Sequence, residues 1–222
     1  MGEIAENIAA VRGMVERAAL RAGRSPEGIT ICVVSKLVDS GRIVAALKAG
    51  IRHLGENWIQ EAAPKVAEIA GLGYTPIWHM IGHLQTNKVR TAVKFFDIIQ
   101  SVDSVSLARE ISRRADHSIS VMLEVNVAAE ATKGGFVVAE LNDALEEIAR
   151  LPRLNVQGLM TVAPAAPDPE VVRPVFRRLR ELRDELGLKE LSMGMTGDFE
   201  IAIEEGATVI RIGRAIFGER RG

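Results

Sequence analysis

The sequence predicts a closed (β/α)8 barrel of the TIM type, a single domain over residues 1–222 with an extra helix ahead of its first strand. Three observations lead there. Short β-branched runs recur eight times with helix-period segments between them, the alternation of a parallel sheet covered by helices. The chain of 222 residues, 47% hydrophobic and 26% charged, is long enough for one such core and sits near the lower end for eight units. The competing open, doubly wound sheet expects a glycine-rich turn after its first strand, and here that turn reads Ser35-Lys36-Leu37.

Each element has its own signal. Ile4, Ile8, Val11, Val15 and Ala18 recur at helical spacing, and Gly23 offers a stop. Residues 29–35 read as the first strand. Asp39 or Ser40 is placed to cap a helix carrying Ile43, Ala46 and Leu47, ended by Gly50. Later strands are expected to begin near Ile51, Ile77, Phe96, Ile119, Leu154, Leu191 and Val209. Between them lie the apolar faces Trp58/Ala62/Val66/Ile69, Val105/Ala108/Ile111, Val137/Leu141/Leu145/Ile148, Val171/Val175/Leu179/Leu182 and Phe199/Ile203. Residues 86–94 carry the weakest helical pattern. The proline-rich stretch 163–169 is too short for a linker and reads as a loop.

Composition removes several classes of function. With 28 Lys+Arg against 29 Asp+Glu, the net charge is −1, so no overall field would gather nucleic acid or anionic lipid. The most basic stretch, Arg177, Arg178, Arg180 and Arg183, is interleaved with Glu181, Asp184 and Glu185; Arg180 and Asp184 have the spacing of a helix-face ion pair. No run approaches the roughly 18 apolar residues of a membrane span. Residues 1–6 lack a signal peptide's basic and apolar regions, and Glu6 stands where a myristoylation site needs Ser or Thr. Cys32 is the one cysteine, which excludes an internal disulfide and a cysteine zinc site and fits a cytoplasmic protein. His79 and His83 are four apart, as zinc ligands on a helix can be, but 78–82 read as strand and turn with no third ligand, so no metal is expected. A monomer or small oligomer is the default expectation.

In such a barrel the chemistry gathers at the C-terminal ends of the strands. Those ends supply Lys36, Asn57, His83, Ser101, Asn126, Thr161, Thr196 and Arg211. Loop seven, Ser192-Met193-Gly194-Met195-Thr196-Gly197-Asp198, leads into a helix, and loop eight opens a short helix at Gly213. Barrels often bind phosphate there, because glycines admit backbone N–H groups and a helix N-terminus favours an anion. The plainer reading is tight turns, with Thr196 or Asp198 as a helix cap. Lys36 shares a strand face with Thr30, Cys32 and Val34; beside that wall desolvation disfavours its ammonium form and frees a nucleophilic amine for a Schiff base. Its plainer reading is a solvated lysine.

Together these signals ask for a ligand with a carbonyl and a phosphate: pyridoxal 5′-phosphate (PLP), or a phosphorylated sugar. Arg211 facing a pyridine nitrogen would keep that nitrogen unprotonated, whereas the alternative is a salt bridge to a carboxylate at the rim. Lys133-Gly134-Gly135 reads either as a lid hinge or as a plain turn.

Six stretches form an ordered set: Val33-Val34-Ser35-Lys36, Leu54-Gly55-Glu56-Asn57, Trp78-His79-Met80-Ile81-Gly82-His83-Leu84-Gln85, Gly158-Leu159-Met160-Thr161, and the segments 191–199 and 211–217. The set resembles the YggS-like family of pyridoxal-phosphate homeostasis proteins, similar in fold to the N-terminal barrel of alanine racemases but lacking their second domain. The resemblance implies that Lys36 carries the cofactor as an internal aldimine. It further implies that Thr196 and the backbone of Gly213 and Arg214 hold the phosphate, that Arg211 approaches the pyridine nitrogen, and that Asn57 lies near the ring. The chain departs from the family pattern at Thr196, where Ser is commoner, at Arg214, where Thr is common, and at Trp58, where Tyr or Arg is frequent.

Two functions follow from that resemblance: a PLP carrier that supplies PLP-dependent apo-enzymes without robust catalysis, or a PLP-dependent amino-acid racemase. Racemisation needs an acid/base on each face of the substrate. The sole tyrosine, Tyr74, precedes strand three at the far end of the barrel, which leaves His83 as the best second base. The carrier is therefore the expectation.

Overall fold

The computed structural model describes residues 2–130 and 132–218. Among them, eight strands pair in parallel in chain order: β1 (Thr30–Val34), β2 (His53–Glu56), β3 (Ile77–Met80), β4 (Ile98–Val102), β5 (Ile119–Glu124), β6 (Leu154–Met160), β7 (Glu190–Ser192) and β8 (Val209–Ile212). Cys32 on β1 faces His53 on one side and Arg211 on the other, so the sheet closes on itself. The helices are α1 (Glu3–Arg21), α2 (Ser40–Lys48), α3 (Ile59–Gly71), α4 (Val89–Phe95), α5 (Val105–Arg114), α6 (Leu141–Ala149), α7 (Arg173–Glu185), α8 (Phe199–Glu204) and α9 (Arg214–Phe217).

Local chemistry sets the boundaries. α1 ends in a left-handed Gly23 (φ 66°), and Arg24 N reaches back to the Ala19 carbonyl at 2.9 Å. Of the two residues offered as a cap for α2, Asp39 is the one used, accepting from Arg42 N at 3.0 Å. β2 and β4 begin two residues later than the apolar runs suggest. The reason is that Ile51 and Phe96 close the preceding helices, with their N–H groups on the Ala46 and Ala92 carbonyls. Residues 86–94 hold a 3₁₀ turn, Thr86–Lys88, followed by α4.

Trp58, Val137 and Val171, counted from their spacing as core positions, are exposed. Each lies just ahead of the regular α-helical turns, where the helical period does not yet apply.

Strand alternation sorts side chains onto two faces. Val33, Leu54, Leu123 and Ile210 point outward into the large core beneath the helices. Cys32, Met122, Met160 and Val209 form a separate small cluster inside the barrel. α1 covers the β8–β1 seam: it packs on α8 and α9, and Asn7 Nδ2 donates to the Ile216 carbonyl at 3.0 Å. Its Ile8, Val11 and Val15 are buried, each contributing roughly 1.5–3 kcal/mol. That seam carries the barrel mouth discussed next.

Candidate functional site

A cavity of about 870 Å³ opens at the C-terminal ends of the strands. Lys36, Lys133, Thr196, Asp198, Arg211 and Arg214 supply its polar side chains, with Gly197 and Gly213 adding backbone. A second cavity of about 620 Å³ adjoins it and shares Val34, Lys36, Gly213 and Arg214.

Lys36 stands just past β1, half-buried, with Nζ 5.9 Å from the centre of the exposed Trp58 ring. Its loop is held from below. Leu37 adopts a left-handed φ of 59°, uncommon for such a side chain. Its N–H donates to Glu61, and Lys65 Nζ donates to the Ser35 carbonyl at 2.6 Å. Lys65 also pairs with Glu61 at 2.6 Å and with the fully buried Glu56 at 3.0 Å, while Ser35 Oγ donates to Glu56 at 2.7 Å. Burial pushes the Glu56 carboxyl above its ordinary value, and the Ser35 hydrogen bond and Lys65 only partly offset this.

Loop seven folds around Asp198. This residue occupies the cap position of α8 without capping it and instead accepts from Met195 N at 2.6 Å. Gly194 sits at φ 91°, where an added Cβ would lie 2.5 Å from Ala202 Cβ, so only glycine fits beside α8. The loop thereby presents Thr196 and Gly197 to the cavity. On the other side, Gly213 caps α9, where helical bonding begins with Ile216 N on the Gly213 carbonyl. The leading N–H groups of that turn have no acceptor within the helix.

Arg211 lines the cavity, and the alternative reading of it, a salt bridge at the rim, does not hold: among the described residues it forms no salt bridge. It is buried inside the barrel, donating from Nη1 to Ser192 Oγ at 2.6 Å and from Nη2 to the Thr161 carbonyl at 2.7 Å. Burial lowers its pKa, opposed by Cys32, Glu124 and Asp198. Burial also pushes the Cys32 thiol up to about 12.

Other strand-end residues are used elsewhere. Ser101 Oγ donates to the Gly82 carbonyl, Thr161 Oγ1 to the Val125 carbonyl, and Asn126 Nδ2 to the Glu130 and Lys133 carbonyls. Asn57 is half-buried with Oδ1 buried and unpartnered, and its backbone presses so closely on Gly82 that a Cβ there would lie 2.5 Å from the Asn57 carbonyl. His79 points into the barrel, whereas His83 is exposed and 3.1 Å from Asp103, so the two do not form a ligand pair. Lys133 donates to the Val162 carbonyl at 3.2 Å and pairs with Glu130. Arg180 pairs with Glu205 rather than with Asp184 as its spacing suggested.

Sequence reasoning missed the Lys65–Glu56–Glu61 cluster under Lys36 and the inward polar side chains of His53, His79, Gln100 and Ser192. Period-two alternation within each strand was the signal available for the second group.

Two amines, two guanidinium groups, a hydroxyl and open backbone donors around one cavity outnumber its one carboxylate, Asp198, which is engaged by Met195 N, and suit a small anion carrying a carbonyl. Such a barrel defines a class. The chain belongs to the family described as alanine racemase, N-terminal domain, whose model matches residues 2–221. It is 43% identical to the pyridoxal phosphate homeostasis protein of Aquifex aeolicus, across 97% of this chain and 98% of that one. Among solved structures, it resembles PipY of Synechococcus elongatus with PLP bound: TM-score 0.83, 35% identity, 97% of this chain and 100% of that one. An alanine racemase of Clostridium difficile shares the fold at 16% identity and TM-score 0.69, with 99% of this chain matching 57% of the racemase.

Proposed function

We propose that the chain binds pyridoxal 5′-phosphate on Lys36 and acts in PLP homeostasis. It would hold the cofactor in the cytoplasm and supply it to PLP-dependent apo-enzymes, as a monomer without robust turnover of its own. One observation carries this reading: Lys36 lines the same cavity as Thr196, Arg211, Gly213 and Arg214. The relatives' names support it.

The residues present fit the group. When bound, PLP supplies an aldehyde that condenses with an amine, losing water, and an electron-withdrawing ring. Lys36 Nζ is the amine, positioned by the Lys65–Glu61 clamp on its flanking backbone. Thr196 Oγ1 and the N–H groups of Gly213 and Arg214 hold the phosphate, with the Arg214 side chain adding charge. Arg211 would offer a permanent cation to the pyridine nitrogen. The resemblance would put Asn57, whose Oδ1 is unpartnered but which does not line the cavity, near the ring.

The other reading, a PLP-dependent amino-acid racemase, needs a second acid/base over the ring. His83, the best candidate, is 70% exposed and held by Asp103, which does not favour it.

Borohydride reduction of protein loaded with PLP, followed by peptide mass analysis, tests the assignment. The label is expected on Lys36 and absent in Lys36→Ala; a label on Lys133 instead would overturn it. Incubation with L-alanine in deuterated water separates the two functions: deuterium incorporation with inversion at an enzymatic rate would establish the racemase.

A further inference from the structure

Arg211 is the first member of an unbroken hydrogen-bonded chain across the barrel interior. Nη1 donates to Ser192 Oγ at 2.6 Å; Ser192 Oγ lies 2.6 Å from Gln100 Oε1; Gln100 Nε2 lies 2.7 Å from His79 Nδ1; and His79 Nε2 lies 2.9 Å from His53 Nδ1. The chain passes from β8 through β7, β4 and β3 to β2, and its first four members are buried.

Its direction is fixed from one end. A guanidinium has donors only, so Ser192 Oγ accepts from Arg211 and its own proton goes to Gln100 Oε1. The Gln100 amide then donates from Nε2, so His79 Nδ1 accepts and the imidazole proton resides on Nε2, pointing at His53 Nδ1. A neutral His79 satisfies this arrangement, and burial pushes its pKa down to about 3. Turning the Gln100 amide over would set its NH2 toward Ser192, whose oxygen already accepts from Arg211. The Ser192 proton would then lose its acceptor in a dry interior.

We infer that Ser192, Gln100 and His79 are positioning residues for Arg211, engaging its Nη1 inside the barrel while the Thr161 carbonyl takes Nη2, and fixing the attitude of the guanidinium toward whatever fills the Lys36 cavity. Packing alone does not call for this chain. Cys32, Met122, Met160 and Val209 fill the same interior with apolar groups, and a buried polar network replaced by apolar side chains is often neutral in stability. Linked dipoles running out from a cation also polarise one another, so a break anywhere loosens the cation end. The consequence for the cofactor rests on the reading in which Arg211 meets a pyridine nitrogen; the chain itself does not.

The test has two arms. In cofactor-free protein, nitrogen-15 shifts of His79 are expected to show an accepting Nδ1 and a protonated Nε2; in Gln100→Glu, whose carboxylate can only accept, the proton is expected to move to Nδ1. A parent protein with the proton on Nδ1 would overturn the chain. In protein fully loaded with PLP, the ratio of the two absorption bands of the bound cofactor, set by its protonation pattern, is expected to change about twofold or more in Ser192→Ala and Gln100→Leu. It should return in Ser192→Thr and stay unchanged in Met122→Leu, a neighbour off the chain. An unchanged ratio in Ser192→Ala, the mildest variant, would reduce the chain to a structural role even if Gln100→Leu fails to fold. Borohydride labelling is run alongside: a label away from Lys36 would overturn the cofactor reading, while the histidine shifts still decide the chain.

Discussion

Glu56 and Glu205 are both buried carboxylates in contact with cations, yet their acidities move in opposite directions. Glu56, at the end of β2, has one cation, and Lys65 divides itself between Glu56, Glu61 and the Ser35 carbonyl. Burial outweighs that help and raises its pKa. Glu205, just past α8, is penalised by burial too. However, Arg173, Arg177 and Arg180 of α7 approach within 3.3 Å, and the hydrogen bonds from Arg177 and Arg173 turn the balance, leaving its pKa lowered. Burial opposed by one shared cation, with the Glu61 charge alongside, raises Glu56, whereas burial opposed by three guanidinium groups leaves Glu205 lowered. The cation-poor cluster lies under Lys36; the cation-rich one ties together two outer helices.

The largest effect expected of a break in this pair is Lys65→Met. It leaves a buried Glu56 without a cation and unpins the Ser35 carbonyl, so urea unfolding should lose about 3–5 kcal/mol and loading at Lys36 should fall. A loss below 1 kcal/mol would mean that Glu56 is already protonated. Glu205→Ala is expected to cost less, about 1–2 kcal/mol by the same measurement, because Arg177 is 53% exposed and can turn to water.

The two carboxylates should also leave opposite marks on the pH profile of stability. Glu56, raised when folded, contributes stability below its ordinary value of 4.5 that is lost as pH rises through its folded value. Glu205, lowered when folded, contributes above 4.5 and loses that contribution as pH falls through its folded value. Unfolding free energies from urea titrations across pH 3–7 should therefore show a smaller decline on the alkaline side of about 4.5 in Glu56→Gln and a smaller acid-side loss in Glu205→Gln, each by at most about 1.4 kcal/mol per pH unit. The smallest effect belongs to Arg178→Ala on the solvated face of α7, where pairing with Glu181 and Glu185 is exposed: within about 0.5 kcal/mol by urea unfolding.

The barrel was legible in the sequence because alternation of apolar periods is local, and that Lys36, Thr196, Gly213 and Arg214 gather at one cavity was legible because strand ends and glycine turns are local as well. What escaped depends on closure. Ser192 meets Gln100 from 92 residues away, which no spacing rule along the chain reveals. Glu61 and Lys65 have the i,i+4 spacing of an ordinary surface pair, and only docking of α3 over the end of β2 carries them beneath the Ser35 backbone. Arg211 lines the mouth as a strand end should, but its burial and its bonds to Ser192 and the Thr161 carbonyl come from other strands. Ser101, Thr161 and Asn126 show the converse: polar strand ends spent on loop carbonyls.

The lone thiol, Cys32, is fully enclosed, and its environment suppresses the reactive thiolate at neutral pH. A thiol reagent therefore has nothing to label until the staves of the barrel part, so the speed of modification clocks that parting. The molecule carries its own gauge of breathing, read at one atom without any engineered probe.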